Sequence, residues 1–143
     1  MTHDTLTRPE VQDLLDQPVL ARLATAHPLT GQPHVVPVWF AWDGESLWIS
    51  SFSNTRKVRE LKANPLCSVL IEPAPGQNTL QAVLFEGPAE IITAPEHFLV
   101  EMATRIYTRY LGPDGVLTPD PQSWMHDPLH LIIKLTPRKT YSW

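Results

Sequence analysis

Short runs of β-branched and aromatic residues, separated by turn residues, dominate the chain and predict a mainly β protein. The strongest run, residues 34–42, ends at Asp43-Gly44, a pair typical of a tight hairpin, and the apolar pattern resumes directly afterwards. About six strands are expected, with the C-terminal segment as a further candidate. They are placed at residues 19–25, 34–42, 46–52, 66–72, 80–92 (bent at Gly87-Pro88) and 129–135, with 138–143 as the further candidate.

Apolar residues recur at helical spacing in three segments, residues 7–16, 55–63 and 95–111. The first begins with Thr7 followed three residues later by Glu10, the pattern of a capping box. Residues 112–121 contain three prolines and are predicted to form a loop. Since the strands follow one another without helical crossovers, the fold class expected is a small antiparallel barrel rather than a parallel doubly wound sheet.

Composition narrows the classes of protein that the chain can belong to. Its 143 residues, 43% of them hydrophobic, suit one domain spanning residues 1–143 with its own core. The net charge of −4 argues against nucleic-acid binding, and no apolar run is long enough to span a membrane. The N-terminus lacks the pattern of a secretory signal, so a cytoplasmic protein is expected. Cys67 is the single cysteine and Pro128 separates His126 from His130, so no metal site is predicted.

The most informative segment is the predicted helix start at Thr55-Arg56-Lys57. A helix N-terminus carries a partial positive charge and normally attracts acidic residues, so two cations there are unfavourable by themselves. A bound phosphate would reverse that sign, because backbone N–H groups, the threonine hydroxyl and both cations would converge on it. The alternative is an ordinary solvated basic face, salt-bridged to Glu60 or Glu10, and the residues alone leave both interpretations open.

Pro37 interrupts the strongest predicted strand and cannot donate a hydrogen bond to a neighbour. It therefore indicates an edge strand, a bulge, or a place where a ligand meets the backbone. An aromatic ring system lying there could bond to the free backbone groups of Val36 and Val38. An edge strand at a dimer contact is the other interpretation, and the two are compatible.

Three segments together, residues 31–40, 47–51 and 55–65, resemble the pyridoxamine 5′-phosphate oxidase-like FMN-binding split-barrel family. The most specific part is [ST]-R-K-x-x-x-[LI]-x-x-N-P at residues 55–65. The resemblance implies a six-stranded split barrel, a homodimer, and FMN in two equivalent clefts at the interface, with the phosphate at the helix start. The residues expected to contact the cofactor are Val36, Pro37, Val38 and Trp39 along the ring edge, Ile49 and Ser50 beneath the ring, Ser51, Thr55, Arg56 and Lys57 at the phosphate, and Gln81 and Trp143.

Departures from the family pattern restrict the expected activity. Pyridoxamine-phosphate oxidases carry an arginine at the position of Val36 and a glutamine at that of Ala82, beside Gln81, and their basic C-terminal motif is absent here. Trp143 either caps the cleft of the partner subunit or simply docks the C-terminus. The chain is more similar to the reductase branch of the family, some members of which use the deazaflavin coenzyme F-420.

The expected function is therefore a flavin-dependent oxidoreductase with hydride transfer at flavin N5 and a small-molecule substrate. No residue stands out as a catalytic acid or base. A deazaflavin-dependent reductase, a flavin-binding module without turnover and a haem-binding protein are the alternatives.

Overall fold

The computed structural model describes residues 2–143, with side chains from residue 5, as an antiparallel β structure accompanied by five helices within that range. The strands are β1 Ala21–Ala26, β2 Pro33–Val38, β3 Ala41–Trp42, β4 Leu47–Phe52, β5 Leu66–Ile71, β6 Val83–Ile92, β7 His130–Leu135 and β8 Lys139–Ser142. The helices are α1 Thr2–Thr7, α2 Pro9–Leu15, α3 Arg56–Ala63, α4 Glu96–Gly115 and α5 Pro119–Met125.

The strands form one curled sheet in the order β2-β1-β5-β6-β7-β4-β3, with β8 paired to β6 as well. Strand β6 serves both halves of the sheet, because residues 83–88 pair with β5 and residues 89–92 pair with β7. Strand β6 changes partner next to Gly87-Pro88, where the sequence predicted a bend. A Cβ atom on Gly87 would lie 3.0 Å from the carbonyl oxygen of Thr136, so a side chain there would crowd the neighbouring backbone. The arrangement is consistent with the expected split barrel.

The described chain has eight strands rather than the six that the pattern predicted, because the run at 34–42 is broken in two and the C-terminal candidate is a strand. The break lies at Trp39-Phe40. Two side chains of helix α4 bind the backbone of Phe40 there. The Phe40 N–H donates to the Tyr110 hydroxyl at 3.1 Å, and the Phe40 carbonyl accepts from Arg109 Nε at 2.9 Å. The Arg109 guanidinium also donates to the carbonyls of Leu15 and Gln17 at the end of α2.

Two clusters of buried side chains form the core. One fills the barrel, where inward residues of the strands meet the apolar faces of α2 and α3. The other lies between α4 and the opposite face of β3, β4 and β7, and includes Met102 and Ile106 of the helix predicted at residues 95–111. Phe98 and Tyr110, spaced four residues from them along the same helix, are partly buried against this cluster. Strand β4 therefore contributes side chains to both clusters.

Two predictions about helices are wrong. The N-cap of α2 is Arg8, which makes no side-chain cap bond, and Glu10 pairs with its guanidinium instead of closing a capping box with Thr7. The predicted loop at 112–121 is partly helical: α4 kinks at Gly112 (φ 79°) and continues to Gly115, and α5 begins at Pro119. Proline is well tolerated in the first turn of a helix, where its missing N–H is not needed. No helix among the described residues combines the length and apolarity that crossing a bilayer requires.

Candidate functional site

Helix α3 begins as the sequence predicted, with Thr55 in an extended conformation at the N-cap and the two cations in the first turn. The Thr55 hydroxyl donates to the carbonyl of Phe52 at 2.9 Å and lies 3.4 Å from the Ser51 hydroxyl. Thr55 makes no side-chain cap bond and the first turn holds no acidic residue. The first turn of α3 therefore carries two cations and no side-chain cap at its N-terminus.

Arg56 belongs to a small cluster around a buried carboxylate. Its Nε donates to Glu60 Oε2 at 3.1 Å, and its side chain remains 45% exposed. Arg56, Arg59 and Glu60 line a cavity of about 310 Å³ together with residues 27 and 28. The salt bridge to Glu60 that the sequence left open is thus present, and it leaves the terminal nitrogens of Arg56 beside a cavity.

Lys57, the next residue of α3, is half-buried. In the described part of the chain no carboxylate forms an ion pair with its ammonium group. Burial lowers the pKa of Lys57, which shows that the folded protein disfavours its charged form. A half-buried cation without a counter-ion is the arrangement expected where an anionic ligand supplies the missing charge.

Strand β2 is an edge strand, as Pro37 indicated, because β1 is its one partner in the described sheet. Val36 is half-buried, Pro37 is exposed and Val38 is buried in the barrel core. Trp39 follows the strand, and its ring stacks on that of Tyr110 with centroids 4.7 Å apart. The outward edge of β2 keeps backbone groups available, and α4 holds the Trp39 ring beside it.

The predicted residues of β4 divide between its two faces. Ile49 is fully buried in the barrel core and Ser51 is buried on the same face. Ser50 points towards α4, where its hydroxyl lies 2.7 Å from the Tyr107 hydroxyl and 2.7 Å from His130 Nε2. The side chains of Ile49 and Ser50 therefore do not share one surface beneath a ligand.

The polar chain formed by Tyr107, Ser50 and His130 was not foreseen from the sequence. Burial raises the pKa of Tyr107 and lowers that of His130, so both side chains are neutral at pH 7. His130 Nδ1 is buried and has no hydrogen-bond partner within the described structure. Nothing in the spacing of these residues reveals the contact, because 57 and 80 positions separate Ser50 from its two partners. No group of metal-binding side chains occurs among the described residues.

Gln81 and Trp143 lie together, away from the α3 start of the same chain. The Gln81 N–H donates to the Trp143 carbonyl at 2.7 Å, and the Trp143 N–H donates to the carbonyl of Ala82 at 3.2 Å. These bonds dock the C-terminus while the Trp143 ring stays 53% exposed. They lie at the Ala21 end of β1, whereas the contact of β1 with α3 is made by Thr25 near its other end. Within one chain, these two residues and the cations of α3 are therefore not brought together.

The outward surface of the sheet formed by β1, β2, β5, β6 and β8 is rich in apolar side chains; we call it the outer face. The registers align Val35, Ala24 and Ser68 in one row across it, and Pro37, Arg22, Leu70 and Leu84 in the next. Val35, Leu66 and Tyr141 are exposed by 62%, 55% and 44%. A cavity of about 520 Å³ opens on the same surface. The apolar residues of the outer face are Ala24, Ala26, Val35, Pro37, Leu66, Leu70, Leu84 and Tyr141.

Comparison with known proteins agrees with this fold. The chain belongs to the pyridoxamine 5′-phosphate oxidase family, which it matches over residues 7–143. A conserved hypothetical protein from Mycobacterium tuberculosis is 31% identical, with a TM-score of 0.76, covering 96% of this chain and 84% of that one. An F-420 reductase is 30% identical, with a TM-score of 0.73 and coverage of 91% and 94%.

A haem storage protein from Vibrio cholerae has the same fold at 16% identity, with a TM-score of 0.73 and coverage of 94% of this chain and 92% of that chain. No curated protein sequence matches the chain.

Proposed function

We propose that the protein is a flavin-dependent oxidoreductase that binds FMN with the phosphate at the start of α3. The observation that supports this most strongly is Lys57, a half-buried cation for which the described chain offers no counter-ion. Thr55, Arg56 and the free N–H groups of the first turn supply the other donors that a phosphate needs. The residues present therefore fit a phosphate-bearing cofactor.

The ring of the cofactor is assigned to the free edge of β2. We assign the ring contacts to the backbone of Val36 and Val38, which lie on a strand that has β1 as its one partner in the described sheet. When bound, the ring supplies the hydride chemistry, while the chain provides anchoring and orientation. Ser50 is fixed by Tyr107 and His130 and is the nearest polar side chain that β4 presents on the α4 side. No acid or base is assigned.

Coenzyme F-420 is the second candidate cofactor. The similarity to an F-420 reductase over more than nine-tenths of both chains favours it. The valine at position 36, where pyridoxamine-phosphate oxidases carry an arginine, agrees with a reductase rather than a vitamin B6 oxidase. Both cofactors bring a phosphate to the same helix start, so the α3 site alone suits either.

A homodimer completes the proposed site. The outer face presents apolar side chains of a kind that a second copy would cover, and exposed apolar patches often mark such interfaces. Gln81 and Trp143 lie away from the cations of their own chain, so we assign them to the cleft of the partner. This accounts for the exposed Trp143 ring as well as for its docked backbone.

Absorption spectroscopy and cofactor titration test the proposal. The purified protein is expected to carry flavin bands in the blue and near ultraviolet, or to acquire bound FMN or F-420 with saturation. A protein that takes up neither cofactor refutes the proposal. A protein that binds one of them but is not reduced by NADH, NADPH or reduced deazaflavin is a flavin-binding module without turnover.

A further inference from the structure

Glu60 is the least expected residue of the α3 site, since it places a carboxylate next to a proposed anion. Its side chain is buried, with 4% of the residue exposed. One oxygen accepts a hydrogen bond from the Thr25 hydroxyl at 2.6 Å, and the other accepts from Arg56 Nε at 3.1 Å. A carboxylate in this place repels a bound anion, so its presence points to a structural role that outweighs this repulsion.

The neighbours of Glu60 come from three different elements. Thr25 lies on β1 and Arg56 on α3, while His34 of β2 places a buried Nδ1 3.8 Å from Glu60 Oε1. The hydrogen bond from Thr25 lowers the pKa of Glu60, and Arg56 adds to this effect against the cost of desolvation. The carboxylate is thus ionised at neutral pH and fixed to the sheet.

The Arg56 guanidinium is held at one edge only. Its Nε is engaged by Glu60, and within the described structure its terminal nitrogens make no hydrogen bond. The Arg56 side chain is 45% exposed and lines the 310 Å³ cavity with Arg59, so these nitrogens are accessible to a ligand. An arginine fork binds a phosphate well when its plane is fixed, since less side-chain freedom is then lost on binding.

We infer that Glu60 is a positioning residue for the cofactor phosphate: anchored by Thr25, it fixes the plane of the Arg56 guanidinium so that its terminal nitrogens face the ligand. The inference rests on the proposed function and adds to it a residue that the resemblance did not supply. It explains why a negative charge is buried beside these cations, although that charge by itself weakens their attraction for an anion.

For Glu60→Gln, a positioning role and a purely electrostatic role of Glu60 predict opposite changes in the affinity for the cofactor phosphate. Glu60→Gln keeps the shape of the side chain but removes one negative charge, which by charge alone strengthens the binding of every anion. Loss of positioning instead weakens the binding of a phosphate group that must meet the fork in one orientation. The measured quantity is the ratio of the affinity for FMN to that for riboflavin, which lacks the phosphate, and the equivalent ratio for F-420 and its phosphate-free core.

For Glu60→Gln we expect this ratio to fall by about two- to ten-fold, because a neutral amide replaces the charge-assisted bond that fixes Arg56 with a weaker one. Glu101→Gln, an exposed carboxylate on α4, is the matched control and should leave the ratio unchanged. Inorganic phosphate, a probe with no fixed orientation, should bind Glu60→Gln at least as tightly as the wild type. A ratio that stays the same or rises in Glu60→Gln overturns the inference.

Thr25 provides a second route if Glu60→Gln does not fold. Thr25→Val removes the anchor of the carboxylate and should lower the ratio, whereas Thr25→Ser keeps the hydroxyl and should restore it. Equal ratios in these two variants contradict the inference. If the wild type binds neither FMN nor F-420 more tightly than its phosphate-free counterpart, the proposed function falls together with the inference. If the wild type shows this preference and all these variants keep it, the inference alone falls.

Discussion

Replacing Lys57 by methionine should have opposite effects on the free protein and on its complex with cofactor. The substitution retains an unbranched apolar stem and removes the half-buried ammonium group. In the free protein that ammonium has no carboxylate partner within the described chain, and burial lowers the pKa of Lys57. Since the folded state disfavours the charged form, Lys57→Met should raise the melting temperature of the cofactor-free protein at pH 7.

The complex should respond in the other direction. A hydrogen bond to a charged group contributes about 1.5–3 kcal/mol, so loss of the Lys57 contact should weaken FMN or F-420 binding by about 10- to 150-fold. Affinity in the wild type should also fall as the pH rises towards the lowered pKa of Lys57, because the contact depends on the proton. The assays are calorimetric titration of cofactor and thermal unfolding with and without it.

Lys62→Met is the matched control, because Lys62 is an exposed cation in the last turn of the same helix. It changes the net charge equally but should alter affinity little. Equal losses in the two variants would mean that general electrostatics, not a contact at Lys57, controls binding. An unchanged affinity in Lys57→Met would refute the phosphate assignment, and a lowered melting temperature of its cofactor-free form would contradict the view of Lys57 as an uncompensated cation.

Three further results are expected. Gly87→Ala should destabilise the protein by about 1–3 kcal/mol in urea unfolding, since the added carbon meets backbone; a neutral effect would show that the bend adjusts freely. Ser50→Ala should cost about 1–3 kcal/mol by leaving Tyr107 and His130 without their shared partner, and unchanged stability would show that water replaces it. Tyr141→Glu, on the outer face, should shift the protein towards monomers in sedimentation; an unaltered mass would exclude that face as the dimer contact.

Features encoded over a few residues were predictable from the sequence. The start of α3 at Thr55, the hairpin after residue 42 and the bend of β6 each depend on local chemistry: a cap, a turn pair and a Gly-Pro step. The edge position of β2 followed from one proline that cannot donate. The residues proposed to hold the cofactor phosphate lie on a single strand-to-helix connection, so a local sequence pattern was enough to suggest them.

Features that depend on distant partners were not predictable. The burial of Glu60 follows from Thr25 on another element, and the spacing along α3 gives no sign of it. The polar chain through Ser50 needs the packed positions of α4 and β7. The capping box at Thr7 was wrong because α2 begins one residue later, with Arg8 at the N-cap and Glu10 paired to it. The proline-rich segment after Gly112 was misjudged because its prolines start helical turns instead of preventing them.

The hydrogen bonds from α4 to the backbone of Phe40 affect the order in which parts of the protein fold during synthesis. The groups that secure the corner between β2 and β3 come from Arg109 and Tyr110, about 70 positions later. A nascent chain that has not yet exposed these two residues leaves the corner unsecured, and with it the edge assigned to the cofactor ring. The proposed cofactor site is therefore expected to form late, when most of the polypeptide has left the ribosome.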